Sequence, residues 1–229
     1  VTAPALTKAE ELVARIREAP HWRFLVQPLI YSQRFSDRKA ALLAVQESAV
    51  HLRGWDFPHF EDVCDEHGGN EPIVDGWESW NAFGNLEAWR VMRSGQFVYL
   101  ANLEQGYGGP QTVDLEFVVY RLTELLLFAS HLTGRRGVDY KPGVRLEAGL
   151  KGIEGYRIGS HPRRFVRDHY HAKGHDATSY REQSLAQVRY EWQQTALDMT
   201  MEIFQWFGYE PPANVIRGIQ EKLLARDFS

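Results

Sequence analysis

Along residues 112–132 apolar side chains run almost the whole way round a helical wheel, with no Gly or Pro to interrupt them. A surface helix shows one apolar stripe, so this pattern predicts a helix covered on most sides. Its length of about 21 residues would cross a bilayer, but Asp114, Glu116, Arg121 and Glu124 make insertion costly. The stretch therefore reads as the central helix of a folded core, and no membrane partner is expected.

The flanking patterns supply the other elements. Thr7 and Glu10 stand three apart as a capping box, opening a helix with Leu12, Val13 and Ile16 on one face that stops before Pro20. It is expected to cover a sheet edge or face. Over residues 22–31 Trp22, Phe24, Val26 and Ile30 alternate as in a strand, and Pro28, which has no N–H, assigns that strand to an edge or a bulge. Ser36 is the expected N-cap of a helix over 37–48 with Leu42, Leu43 and Val45 inward. Residues 50–57 read as a second strand, and 58–76 as a long acidic loop. Residues 77–83 and 96–103 read as strands. Between them 86–92 is either a short helix capped by Asn85 or a third strand ending in a Ser94-Gly95 turn.

After the central helix, Gly134 is a C-cap candidate with bases beside it. Residues 144–150 and 155–158 suggest a hairpin. Ser179 and Glu182 form a second capping-box pattern, predicting a helix to about residue 207, where Gly208 and Pro211-Pro212 stop it. A last helix over 214–224 carries Val215, Ile219 and Leu223. Together these predict an α+β fold: a mixed or antiparallel sheet packed against the buried helix at 112–132 and the C-terminal helices. Residues 1–229 read as a single domain, with a weak subdivision near 134–143.

Composition changes this picture only at two points. One cysteine, Cys64, excludes an intrachain disulfide and fits a reducing compartment. The charged first helix lacks the apolar segment of a signal peptide, so a cytoplasmic location is expected. Arg outnumbers Lys 20 to 6, a hint of a GC-rich bacterial genome.

Charge is segregated more than the net value of −4 suggests. Residues 54–89 hold nine carboxylates and no Lys or Arg, whereas 135–173 hold ten bases against four acids. Such asymmetry points either to a charged partner or to two solvated regions that neutralise each other across the fold.

Within the basic segment Arg157, Arg163, Arg164, Arg167 and Lys173 are the candidate ligand-binding residues. Guanidinium groups grip phosphate through two parallel bonds, and clustered bases attract a nucleic-acid backbone whatever its sequence. Tyr156, Phe165 and Tyr170 are interleaved and suit stacking on bases. The bland alternative is a solvated loop whose arginines pair with the protein's own acids. His169, His171 and His175, with His161, Asp168 and Asp176 nearby, are candidate ligands for a divalent metal, although their spacing matches no strong metal motif and Lys173 would compete with a cation.

Two further constellations are weaker. Residues 53–59 place Arg53, Asp56 and His59 beside Trp55 and Phe57. Asp56 and His59 could form an acid–base pair, but a packing anchor with Trp55 and Phe57 turned into the core is the preferred reading. On the central helix Glu116, Arg121 and Glu124 must be paired if buried, and structural pairing is preferred to catalysis. Phosphate-loop, dinucleotide-fingerprint, H-E-x-x-H and G-x-S-x-G signatures are all missing from the sequence.

The leading expectation is a cytosolic module binding a phosphate-bearing ligand through 135–173, nucleic acid first and a nucleotide second. The alternatives are a metal-dependent phosphodiester hydrolase and a structural subunit that associates with itself or with another protein. The sequence leaves open whether the chain is an enzyme.

Overall fold

The computed structural model describes residues 7–60, 64–65, 67–103, 109–159 and 170–226. In chain order the elements are α1 (Lys8–Arg17), β1 (His21–Pro28), α2 (Arg38–Gln46), β2 (Gly68–Ile73), β3 (Gly76–Asn81), β4 (Glu87–Met92), β5 (Phe97–Asn102), β6 (Thr112–Asp114), α3 (Leu115–Thr133), β7 (Gly143–Lys151), β8 (Arg157–Gly159), β9 (Ala177–Ser184), α4 (Leu185–Tyr190), α5 (Trp192–Gln205) and α6 (Ala213–Leu224). Seven strands form one antiparallel sheet in the order β2-β3-β4-β5-β1-β7-β9, and β6 pairs parallel with β8 in a second, small sheet. The fold is α+β, as the alternation of patterns implied.

One sheet face is the main core. Trp22, Phe24 and Val26 of β1, Phe97 and Tyr99 of β5 and Leu146 and Ala148 of β7 all point to it and are buried. Helix α3 lies there, its Phe128 ring 4.6 Å from Phe97, and α4, α5 and α6 pack against it, with α4 and α5 also reaching β9. That enclosure is why its apolar positions cover the whole wheel. Burying each large side chain contributes about 1.5–3 kcal/mol. On the opposite sheet face α1 covers Trp80, Ala88 and Leu100 with Ala9, Leu12 and Ile16. The Thr7 capping box is formed, with Glu10 N–H donating to Thr7 Oγ1 and Thr7 N–H to Glu10 Oε2.

Several expectations are corrected. β1 lies in the middle of the sheet, not at an edge. Leu29 N–H donates to Gly143 O on the β7 side, so the nitrogen of Pro28 faces the other way. There the β5 register has already ended at Val26↔Phe97, and no ladder bond is lost. Asp37, not Ser36, caps α2, accepting from Ala40 N at 2.8 Å. That helix buries Ala41, Ala44 and Val45, while Leu43 is 47% exposed. Residues 50–57 form a loop closed by a single Val50↔Phe57 bridge.

The expected acidic loop contains β2, an edge strand that tolerates Pro72. Residues 87–92 are the strand of the two alternatives. The central helix starts only at Leu115, with Thr112–Asp114 forming β6. β8 joins β6 and makes no hairpin with β7, whose other partner is β9. Residues 177–184 are strand, and the capping box that opens the following helix is Ser184 with Gln187. The helix is then interrupted at Glu191, between α4 and α5.

Candidate ligand-binding site

β8 lies between β6 and the segment after residue 169. Arg157 faces His171 across an antiparallel bridge, Ile158 N–H donates to Tyr170 O at 2.9 Å, and Ala172 N–H donates to Tyr156 O at 2.7 Å. The chain thus leaves at Gly159 and returns at Tyr170 on neighbouring strands. Candidate residues Arg163, Arg164, Arg167 and His169 lie between these points, outside the described residues. Through the register Asp114↔Gly159 this departure point sits beside the start of α3. Asp114 caps that helix, accepting from Glu116 N at 2.9 Å and Phe117 N at 3.2 Å.

Lys173 follows His171 by two residues and is exposed, its backbone N–H donating to Trp206 O at 2.9 Å. The Tyr170 and Tyr209 rings meet at a tilt of 49° with centroids 4.7 Å apart, and burial pushes the Tyr209 phenol above its ordinary pKa. Arg157, His171 and Lys173 are therefore brought together where the chain leaves at Gly159 and returns at Tyr170. His175 is not: its carbonyl accepts from Ile153 N on the far side of the Gly152 turn. Among the described residues no group of three His, Cys, Asp or Glu side chains could hold a metal ion.

The remaining bases of 135–173 disperse. Arg135 pairs with Glu47 at the end of α2. Arg145 lies 3.7 Å from Glu147 and stacks over Tyr180, and Lys151 bonds Asp176 at 3.1 Å. None of these partners belongs to the acidic stretch 54–89, whose Glu78 and Asp75 pair with Arg90 and Arg93. The two charged regions thus do not neutralise each other through these contacts; each is met by nearby residues.

The two weaker constellations merge into one buried network. Arg53 bonds Glu124 through Nε–Oε1 at 2.8 Å and Nη2–Oε2 at 2.7 Å. Arg121 Nη1 stands 3.9 Å from Glu124 Oε2 and donates to Tyr99 Oη at 3.0 Å, with its guanidinium over the Phe57 and Tyr99 rings. Glu87 Oε1 accepts from His59 N at 2.9 Å. Burial holds the Glu87 carboxyl above its usual range, against the opposing pull of Arg121.

Phe57 is the packing anchor expected of this loop, but Trp55 is 51% exposed, beneath the Arg53 guanidinium. Asp56 pairs with His51 at 2.5 Å and not with His59. Sequence reasoning missed Glu87 and Tyr99. The available signal was the buried Arg121–Glu124 pair itself, since a carboxylate with only an i−3 guanidinium at salt-bridge distance needs more partners. Glu116 sits in the first turn of α3, outside the Arg53–Glu124 contact.

With this geometry in hand, comparison with protein-family models, curated proteins and solved structures yields no match, so the functional reading rests on the residues alone.

Proposed function

We propose that this chain is a binding module for a phosphate-bearing ligand, nucleic acid in the first place and a nucleotide in the second, contacted by Arg157, Arg163, Arg164, Arg167 and Lys173. The observation that supports it is the bridge between Arg157 and His171. It sets Arg157 on one strand and Lys173 just past the other, at the two ends of a stretch that also holds three arginines. Residues 157–173 contain these five bases and one acid, Asp168. Of the other bases in the segment, Arg135, Arg145 and Lys151 have carboxylate neighbours, which favours 157–173 over the whole of 135–173.

Phosphate would be held by charge-assisted bonds from guanidinium groups, and the Tyr170–Tyr209 pair beside His171 offers an aromatic surface for a base. Binding of this kind releases condensed counterions and so weakens as salt rises. The test is fluorescence anisotropy with a labelled single-stranded oligonucleotide and, separately, a labelled nucleotide, at about 50 and 200 mM salt. Affinity that drops with salt and is lost in the Arg163→Glu, Arg164→Glu double variant supports the reading. Affinity that is absent, or insensitive to salt, overturns it.

A further inference from the structure

β9 is an edge of the seven-stranded sheet, and among the described residues no strand pairs with its outward side. In an antiparallel ladder alternate residues direct both backbone groups to the neighbour, and those between direct both away. A Cβ on Gly143 would run into the Gln183 carbonyl oxygen, and one on Gly149 into that of Ala177. Residues 177, 179, 181 and 183 therefore face β7, and Thr178, Tyr180 and Glu182 face outward. No hydrogen bond within the described residues meets the N–H groups of these three. The Tyr180 carbonyl accepts from Arg181 Nη1 at 2.8 Å and keeps a second lone pair. Unpaired edges of this kind are templates for another strand.

We propose that the partner is a second copy of this chain, paired antiparallel through β9 about a two-fold axis at Tyr180, so that the two sheets become one. The sequence of β9 is self-complementary in that register. Tyr180 opposes Tyr180, Thr178 opposes Glu182, and Ser179 opposes Arg181, so every outward N–H finds a carbonyl and no like charges meet. Sliding by two residues one way sets Arg181 against Arg181, and the other way Asp176 against Glu182. On the inner face Ser179 Oγ donates to Glu202 at 2.6 Å. The same carboxylate takes this copy's own Arg181 through Nη1 at 2.9 Å and through Nη2, so each Arg181 is already neutralised where Ser179 of the second copy arrives opposite it, in an open cleft of about 520 Å³ lined by residues 178–182 and Glu202. This surface uses none of the residues proposed to hold the ligand, so the two proposals stand or fall separately.

Sedimentation equilibrium of the full chain is the test, with twice 26.4 kDa expected. Tyr180→Pro deletes an N–H that points away from β7, so it weakens association at least tenfold while far-UV circular dichroism is kept. Tyr180→Lys, which retains the N–H but opposes two ammonium groups on the axis, does the same and covers the case in which proline unfolds the strand. In a Cys64→Ser background Tyr180→Cys forms an interchain disulfide on oxidation, because hydrogen-bonded pairs hold Cα atoms about 5.5 Å apart. A monomer at about 100 μM, well above common dimer affinities, overturns the proposal. So does a dimer that survives both Tyr180 variants and forms no disulfide.

Discussion

Arg53 and Glu124 are 71 residues apart in sequence and meet through two parallel hydrogen bonds, with side chains only 6% and 1% exposed. This contact ties the loop of residues 50–57 to the middle of α3. Its geometry is the bidentate one in which a guanidinium best offsets the desolvation of a carboxylate. Removing Arg53 leaves the buried Glu124 carboxylate with Arg121 at 3.9 Å, whereas removing both takes that carboxylate away and leaves the buried Arg121 bonded to Tyr99. Arg53→Met is therefore expected to lower unfolding free energy by about 3–5 kcal/mol. Adding Glu124→Leu is expected to recover part of the loss. Urea denaturation of the two variants and the parent decides it. A double variant as unstable as the single one would show that the pair is needed for more than charge balance.

Glu87 gives the fold a pH dependence with a definite sign. Burial raises its carboxyl above the ordinary 4.5. Between the unfolded and folded pKa values the native state then binds the proton more tightly, so this group's contribution to stability falls as pH rises through that window. Below about 4.5 both states are protonated and the penalty is absent. Glu87→Gln keeps an acceptor for His59 N–H and removes the ionisation. Its stability relative to the parent is expected to rise from pH 4 upward and level off once the parent's carboxyl is ionised. Denaturant midpoints at unit pH steps measure this, and a difference that is flat with pH would contradict the burial argument.

Much of the fold was legible where local chemistry and tertiary packing agree. The Thr7 box, the α3 pattern and the alternation in β1 each carry enough apolar periodicity to name the element. β2 was not legible because Gly68, Gly69, Asn70 and Pro72 are poor strand formers, and only pairing with β3 makes them one. β9 was hidden for the opposite reason. Ser179 and Glu182 have capping-box spacing, yet Ser179 donates to Glu202 of α5, and the strand continues to Ser184.

At the candidate site the sequence set out which bases are available, but it could not show that Arg135, Arg145 and Lys151 lie beside carboxylates elsewhere. Ion-pair partners far apart in the chain leave no local trace. For the same reason Glu87 and Tyr99 escaped notice.

The two capping boxes allow a direct comparison. Ser184 Oγ accepts from Gln187 N, and the Gln187 side chain accepts from Ser184 N at 3.1 Å. Ser184→Ala is expected to cost about 0.5–2 kcal/mol, the range for loss of an N-cap. Ser184→Gly, which keeps the backbone freedom of a cap, is expected to lose less. Thermal unfolding of both variants ranks them. Equal losses would mean that the side-chain bond to Gln187 contributes little to the β9–α4 junction.

Comparing Arg157 and Lys173 with a base bonded to Glu47 yields a prediction about binding itself. For a single-stranded ligand each phosphate contact contributes about 0.7 to the slope of log affinity against log salt. Arg157→Ala and Lys173→Ala are each expected to weaken oligonucleotide binding and to flatten that slope by about one contact's worth. Arg135→Ala, which removes a side chain already bonded to Glu47, is expected to leave both quantities unchanged. The comparison needs only anisotropy titrations at four salt concentrations. If Arg135→Ala lowers the slope as much as Arg157→Ala, the ligand tracks the whole basic segment and the site is not confined to 157–173. If none of the three alters it, the phosphate contacts lie elsewhere on the molecule.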